Sequence, residues 1–460
     1  MSKQEPGSSS MHNMVPCYHT ETVAQQEPLW LLDDARKDDK PPPYLLATHE
    51  KGFKRPWLDE KIIATINERI EELDPALREL SLKIHDHPEI MWTEHYAHDT
   101  LTAFMDSYGF NVTKHYLGLE TAWRADFEHR SSAVSKKSPL KTLGLNSEMD
   151  ALPGIGHACG HNLIAIAGVA VALAVKTALE KHDLDGRIVL LGTPAEEGGA
   201  GKIDFIQRGG YKDMDICLMC HPGPGPRNTT GTGPSLAITG IEVEYFGHTA
   251  HASAAPWEGQ NALDAAFLAY SSVSVLRQQI KPTHRVHGIV EGRDWAPNII
   301  PDYAKMRWLV RAPSAAEVDI LRERVINCFK GAALSTGCKM ELKVDRTMFD
   351  LRQNSVLSSE YHNVSQSQYG VGPNSMEGAI GGSTDFGNVT YELPSLHPSF
   401  SIPTEPNGGN HTIGFTRAAR TEKAHECTLK VAKALTQVGM RAIIDEEFLS
   451  QVKEAFNPNR

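Results

Sequence analysis

The spacing of apolar residues divides the chain into segments of different kinds. From Leu58 onward, Ile62, Ile63, Ile66, Ile70 and Leu73 recur every three or four positions, which predicts an amphipathic helix running to about His85. A second helix is predicted over residues 94–108. The pattern then alternates. Short apolar runs at 142–146, 187–192 (RIVLLG) and 215–220 (DICLMC) predict strands, and 162–182 and 203–208 between them predict helices. Strands separated by helices favour an α/β fold with a doubly wound, mostly parallel sheet, whose ligands bind at the carboxyl ends of the strands. Between residues 236 and 346 the order becomes strand, helix, strand, strand, helix, strand, at 236–247, 261–279, 285–292, 299–310, 315–336 and 339–344. That is the order of a ferredoxin-like βαββαβ unit. The expected organisation is a discontinuous domain over 58–235 and 347–446, with 236–346 inserted as a separate domain. Helices at 355–369 and 421–440 return the chain to the first domain. Residues 1–57, rich in Ser, Gln, Asp, Lys and Pro, are expected to be a mobile leader.

Composition narrows the partners. The 460 residues are 40% hydrophobic and 22% charged, enough apolar content for a sizeable core. A net charge of −11 argues against nucleic acid or an anionic membrane as the main partner. No uninterrupted apolar run approaches the roughly 18 residues of a membrane span; the longest, 163–175, is alanine-rich and reads as a buried helix. The polar N-terminus has no secretory pattern, and seven scattered cysteines have no framework spacing. A reducing cytoplasm is the expected setting.

The candidate chemistry follows the predicted strands. After the first comes Ser147-Glu148-Met149-Asp150-Ala151-Leu152-Pro153, then His157-Ala158-Cys159-Gly160-His161. A thiol beside imidazoles suits zinc or another late divalent metal, and Gly160 lets the backbone turn so that Cys159 and His161 face one point. After RIVLLG comes Thr193-Pro194-Ala195-Glu196-Glu197-Gly198-Gly199. Burying both carboxylates requires nearby cations or a retained proton, so one Glu on a metal and one acting on water would resolve the repulsion. His221 follows DICLMC, and His397 sits in Pro394-Ser395-Leu396-His397-Pro398. Each feature alone has a bland reading: a polar loop, an exposed acidic turn, a structural histidine. Chance explains all four together poorly. Cys217 and Cys220 spell C-x-x-C, but residues three apart on a strand point to opposite faces, so they read as core.

These segments resemble the M20 metallopeptidases, the group of aminoacylases, hippurate hydrolases and auxin-conjugate amidohydrolases, and among them an aminoacylase-1-like branch that includes a β-alanyl-lysine-type dipeptidase. SEMDALPGIGHACGHN, GTPAEEGGAGKI, GHTAHASAAPWEGQNALDA, APNIIPDYAKMRWLVRAP, GGSTDFGNV and LHPSF match in order, over about 58–444. The resemblance implies a two-metal site held by Cys159, His161, Glu197, His221 and His397. Cys159 would bridge, with His161 and His221 on one ion and Glu197 and His397 on the other. It implies Glu196 as general base and then acid, and Asp150 as the orienting partner of a ligand histidine. The inserted unit resembles a lid and dimerisation domain. There His251 would reach a neighbouring subunit's site, while Asn298 and Arg311 hold substrate. Gly382 and Ser383, in Gly381-Gly382-Ser383-Thr384, resemble a binding loop. One departure stands out: many members carry H-x-D where this chain has Glu148 before Asp150. The Cys-Gly-His branch shares an acidic residue there and uses His161 instead. His157 and His411 lie near the motifs.

The expected function is hydrolysis of an N-acyl amino acid or small dipeptide in a homodimer, with two divalent ions, zinc, manganese or cobalt. Competing readings are a catalytically silent binding protein, the same scaffold used for amide formation, and Cys159 as a nucleophile with His157 or His161 as its base.

Overall fold

Helix α1 (Glu60–Asp86) opens the computed structural model, which describes residues 58–132, 139–374 and 381–456; the leader expected over 1–57 lies outside them. Asp59 caps α1, accepting from the Lys61 N–H, and Ile62, Ile66, Ile70, Leu73, Leu77, Leu80 and Ile84 form its buried stripe. Each such side chain contributes roughly 1.5–3 kcal/mol when fully buried. There follow α2 (His95–Ser107), β1 (Asn111–Lys114), β2 (Trp123–His129), β3 (Thr142–Glu148), α3 (His161–Lys181), β4 (Gly186–Thr193), α4 (Gly201–Gln207) and β5 (Ile216–Leu218). By composition α3 could cross a membrane, yet 89% of its most apolar stretch is buried inside the protein. It is the core helix anticipated from its alanines. A Cβ on Gly168 would lie 2.6 Å from Ser147 Oγ, so this glycine lets α3 press onto β3.

After β6 (His221–Pro224) and β7 (Thr229–Gly231) the second unit begins: β8 (Ala237–Phe246), α5 (Ala262–Leu276), β9 (Arg285–Gly292), β10 (Tyr303–Ala312), α6 (Ala315–Thr336) and β11 (Lys339–Val344). The chain then adds α7 (Ser355–Tyr369), β12 (Gly372–Pro373), α8 (Phe386–Glu392), β13 (Ser395–Leu396), β14 (Ser399–Ile402), α9 (Ile413–Ala419), α10 (Glu422–Ile444) and α11 (Glu446–Ala455).

The large sheet runs β1-β2-β4-β3-β5-β13. Its β4–β3, β3–β5 and β5–β13 pairings are parallel, as expected, whereas β1–β2 and β2–β4 are antiparallel. The two extra edge strands escaped the sequence pattern because NVTK is largely exposed and WRADFEH interrupts its apolar positions with charges. The second sheet, β11-β8-β10-β9, is antiparallel throughout, with α5 and α6 on one face, which is the ferredoxin-like arrangement. Its third strand starts at Tyr303 rather than 299, because Pro301 has no N–H to give to a ladder. A short third sheet, β12-β7-β14-β6, lies beyond the carboxyl ends of β5 and β13. Cys217 and Cys220 are free thiols in two different core clusters, as opposite faces require.

Candidate metal centre

The carboxyl ends of β4, β3, β5 and β13 are side by side, and the four candidate metal-binding segments follow them. Glu148 ends β3, with Asp150 two residues on. His161 is the first residue of α3, after Gly160 in a left-handed turn at φ +80°. A Cβ on Gly160 would lie 2.6 Å from Pro222 Cγ, so any other residue would push Cys159 away from His221. Cys159 Sγ stands 3.3 Å from His221 Nε2, and His221 Nδ1 faces the Pro222 carbonyl at 2.8 Å, which assigns the proton to Nδ1 and leaves Nε2 bare. His161 follows the same logic. Its Nδ1 is 3.1 Å from Asp150 Oδ1, and its Nε2 faces Glu148 Oε2 at 3.5 Å and Glu196 Oε2 and Glu197 Oε1 at 3.9 Å.

Four buried atoms without any hydrogen-bond partner converge here: Glu148 Oε2, His161 Nε2, Glu197 Oε1 and His397 Nε2. Orphaned buried donors and acceptors are rare because each costs about 1–3 kcal/mol; bound cations would relieve that cost at these atoms. Cys159, His161 and His221 bring ligand atoms within 4.8 Å of one another, as do Cys159, Glu197 and His411, and Glu148, His161 and Glu196. Cys159 belongs to two of these groups, the placement of a bridge. His397 belongs to none. It stacks on His221 at 5.9 Å between ring centroids and packs against Phe386. The donors are sulfur, imidazole and carboxylate, and they fit a divalent ion of the zinc, manganese or cobalt kind.

Charge without a cation is held by proton placement. Burial opposes charge on His161, but Asp150 and Glu148 outweigh it and hold the ring well above the ordinary imidazole value. Burial, then Glu148 and Glu197, push Glu196 well above the carboxylate range. Burial also works against Glu197, yet His411 and His161 keep it below its usual value. His397 is lowered to about 3 by burial and by His221. Burial pushes the Cys159 thiol up as well. A nucleophilic cysteine needs the opposite, and His157 is turned away, its Nε2 3.1 Å from the Ile84 carbonyl. Of the two bases considered for a cysteine nucleophile, His157 is thus removed, while His161 remains hydrogen-bonded to the Cys159 thiol.

The second sheet faces the same cleft. Arg311 Nη1 donates to Ser383 Oγ at 3.0 Å. The Gly382 carbonyl accepts from Leu236 N–H, which ties that loop to the start of the inserted unit. The Arg311 guanidinium is near enough to His411 to work against its charge. His251 stands apart and exposed, its Nδ1 accepting from the N–H groups of Ser253 and Ala254, so Nε2 carries the proton. The adjacent Asn298 segment pairs with it through His251 and Ile299.

The family model for peptidase family M20/M25/M40 matches residues 144–437. The chain belongs to that family. It is 40% identical over 401 residues to human Xaa-Arg dipeptidase, covering 85% of this chain and 90% of that one. To a p-aminobenzoyl-glutamate hydrolase component of Escherichia coli it is 27% identical, covering 86% and 95%. A solved dinuclear metal-binding M20 peptidase from Bacillus subtilis has the same fold, with a TM-score of 0.59 at 17% identity over 84% of this chain and 99% of the other. This M20 chain is a hydrolase; relatives named as hydrolases do not favour amide formation or a silent binding role.

Two residues of this region, Lys202 and Asn410, gave no sequence signal, and His411 was marked only by lying near the motifs. Lys202 is fully buried on α4, its Nζ 2.6 Å from both Glu148 Oε1 and Asp385 Oδ1. A lone lysine in GGAGKI reads as surface, because lysine is almost never buried unpaired. The Asn410 amide reaches Cys159 Sγ at 3.8 Å and the Pro222 carbonyl at 3.2 Å. His411 Nε2 lies 3.5 Å from Glu197 Oε2, on a backbone at φ +66°. Ala195 and Ala200 at φ +61° and +52° and Trp92 at +64° share that left-handed conformation, which costs on the order of 1–3 kcal/mol per residue and clusters at functional sites.

Proposed function

We propose that this M20 hydrolase is a two-metal amidohydrolase for dipeptides or N-acyl amino acids with a free α-carboxylate. Arg311 carries the reading. Its half-buried guanidinium bonds the Ser383 hydroxyl, has no carboxylate within ion-pair distance among the described residues, and lies beside the metal donors through His411. A substrate carboxylate supplies the missing bidentate partner. The likeness to a relative named Xaa-Arg dipeptidase makes dipeptides ending in arginine the first substrates to test.

Cys159, His161, Glu197, His221 and His397 would hold two divalent ions, zinc, manganese or cobalt, with Cys159 shared. When bound, such ions polarise the scissile carbonyl and lower the pKa of water from about 16 to about 7. Glu196, already disposed to hold a proton, takes one from the attacking water and returns it to the leaving amine. Asp150 fixes the His161 ring with Nε2 free. Asn298 and Arg311 hold the substrate from the inserted lid, and Gly382 and Ser383 from the loop opposite. His251 would serve the site of a second copy, with the dimer contact on the lid, where α5 presents Phe267, Leu268, Tyr270 and Val275 to solvent. The boundaries 58–235 and 347–446 for the catalytic part and 236–346 for the lid belong to this reading, as does a cytoplasmic setting, in keeping with the free thiols among the described cysteines.

Glu196→Gln tests it. Turnover of alanyl-arginine should fall by about 10²–10⁴-fold, with metal content by mass spectrometry unchanged. Full activity in that variant removes Glu196 from the chemistry, and wild-type protein purified without chelator that holds no metal ends the two-ion reading.

A further inference from the structure

Glu94 occupies the N-cap position of α2, where a side chain ordinarily bonds the free N–H groups of the first turn. Glu89 does that instead, its two carboxylate oxygens accepting from Tyr96 N–H at 2.9 Å and Ala97 N–H at 3.0 Å. Glu94 is thereby released to turn inward, where it is fully buried. One oxygen accepts from the Ala195 N–H at 2.8 Å and the other from Thr121 Oγ1 at 2.7 Å. Ala195 opens the turn carrying Glu196 and Glu197, and does so in the left-handed conformation that a side chain rarely adopts. On the other side of Glu196, the Glu197 N–H is received by Asp150 Oδ2 at 2.9 Å. The N–H groups of the two residues that flank Glu196 are each held by a buried carboxylate.

The segment around Glu94 is stitched to the centre at further points. Ala151 N–H donates to the Glu89 carbonyl at 2.7 Å, and Ile90 bridges to Ala151, just past Asp150. A Cβ on Gly199 would meet Trp92 Nε1 at 2.4 Å, and one on Gly198 would meet Met91 Sδ at 3.1 Å. Met91, Trp92 and Glu94 lie against the turn that carries Glu196 and Glu197, and Glu94 bonds that turn's backbone through a buried side chain.

From this geometry we infer that Glu94 is a positioning residue of the site: by holding the Ala195 peptide it fixes the direction of Glu196 and the seat of Glu197, although it touches no metal donor. The inference rests on the reading of Glu196 as the acid–base group and Glu197 as a metal donor. What the turn requires from Glu94 is an acceptor at a set distance. Glutamine supplies one, its carbonyl oxygen facing Ala195 N–H and its amide nitrogen donating to Thr121 Oγ1; alanine does not.

The test compares Glu94→Ala with Glu94→Gln in the full chain, by manganese titration and by alanyl-arginine kinetics. Glu94→Ala should weaken binding of one of the two ions, and lower kcat, by about 10–100-fold, as loss of a residue behind a metal ligand does. KM should stay within about twofold, since Arg311 and Ser383 are untouched. Glu94→Gln should recover most of both losses. Wild-type manganese affinity and kcat in Glu94→Ala overturn the inference, and so does a Glu94→Gln variant as impaired as Glu94→Ala. If Glu94→Ala does not fold, Thr121→Val takes its place: it removes one anchor of the carboxylate, and a kcat and manganese affinity equal to wild type would then overturn the inference. Glu196→Gln, run alongside, separates the two claims. An inactive Glu196→Gln with a normal Glu94→Ala sinks only the positioning role, whereas an active Glu196→Gln sinks the reading beneath it.

Discussion

The two sheets use charge in opposite ways. In the large sheet every residue of β3 is buried, and its one carboxylate, Glu148, faces Lys202 and His161. In the lid sheet the helix-free face is a ladder of half-buried pairs open to water, Lys305 with Glu242 at 2.7 Å and Arg307 with Glu291, while β11 is exposed at five of its six positions. Burial explains the contrast. A strand covered by helices on both sides can carry charge only where a partner or a ligand meets it, and a strand covered on one side sheds its charge into water at almost no energetic consequence. Charge in the core therefore reports chemistry. In the lid the informative anomaly is reversed, an apolar helix face open to solvent.

The largest effect expected from that contrast comes from Lys202→Met. The ammonium group is wholly buried between Glu148 and Asp385, with its own backbone N–H also given to Asp385 at 2.9 Å. Removing one member of a buried charge group leaves the others uncompensated and typically costs about 3–5 kcal/mol. Urea denaturation of the metal-free protein should show a loss of that size, or the variant should fail to accumulate in soluble form. A loss as small as that of a lid ion pair would mean the core charges are better solvated than their burial implies.

Acidity offers a second, smaller effect. Burial, and then the nearby Asp150, push Glu94 up to about 7, against about 4.3 for an unfolded glutamate. A carboxyl raised in the folded state binds its proton more tightly there than in the unfolded chain. Its contribution to stability is thus complete below about pH 4 and is lost as pH rises from there through about 7, amounting to on the order of 4 kcal/mol. Metal-free wild type should lose urea resistance between about pH 5 and pH 7 more steeply than Glu94→Gln, which has no proton to release. Both protonation states keep an acceptor for Ala195 N–H, so the pH effect and the positioning role are separable. Parallel pH curves for the two proteins would show that Glu94 is already ionised throughout, and that its burial is relieved by something other than a proton.

How much of this was legible in the sequence follows the same division. Strands β3, β4 and β5 and helix α3 were legible because burial on both faces writes continuous apolar runs, and candidate donors stood out because they fall where those runs stop: His221 after DICLMC, Glu196 and Glu197 after RIVLLG. The antiparallel edge β1–β2 was illegible, since an edge strand that alternates Arg, Asp and Glu with apolar residues looks like a loop. Lys202 and Glu94 were illegible for another reason. Their roles depend on partners 54 and 101 residues away, at Glu148 and Ala195, and nothing local marks a lysine or a glutamate as buried. The sequence pattern marked candidate donor side chains; it could not show which groups hold them.

The smallest effect on stability, and the sharpest check on the lid, comes from Phe267→Asp on α5. The helix buries Ala262, Ala265, Ala266, Ala269 and Val273 against its own sheet, yet leaves Phe267 57% and Val275 73% exposed on the other side. An apolar patch that large on a helix has a use, since scattered exposed residues would not share a face. If it is the contact between two copies, the aspartate should convert a sedimenting dimer to a monomer while shifting the denaturation free energy of the monomer by no more than about 0.5 kcal/mol, the range for surface substitutions. Activity should fall as well, because His251, which meets none of the metal donors of its own chain, would lose the second site it serves. A variant that remains dimeric would put the contact elsewhere on the lid. A variant that becomes monomeric yet keeps its full kcat would separate assembly from catalysis and leave His251 as an ordinary surface histidine, its Nδ1 doing no more than closing the turn at Ser253 and Ala254.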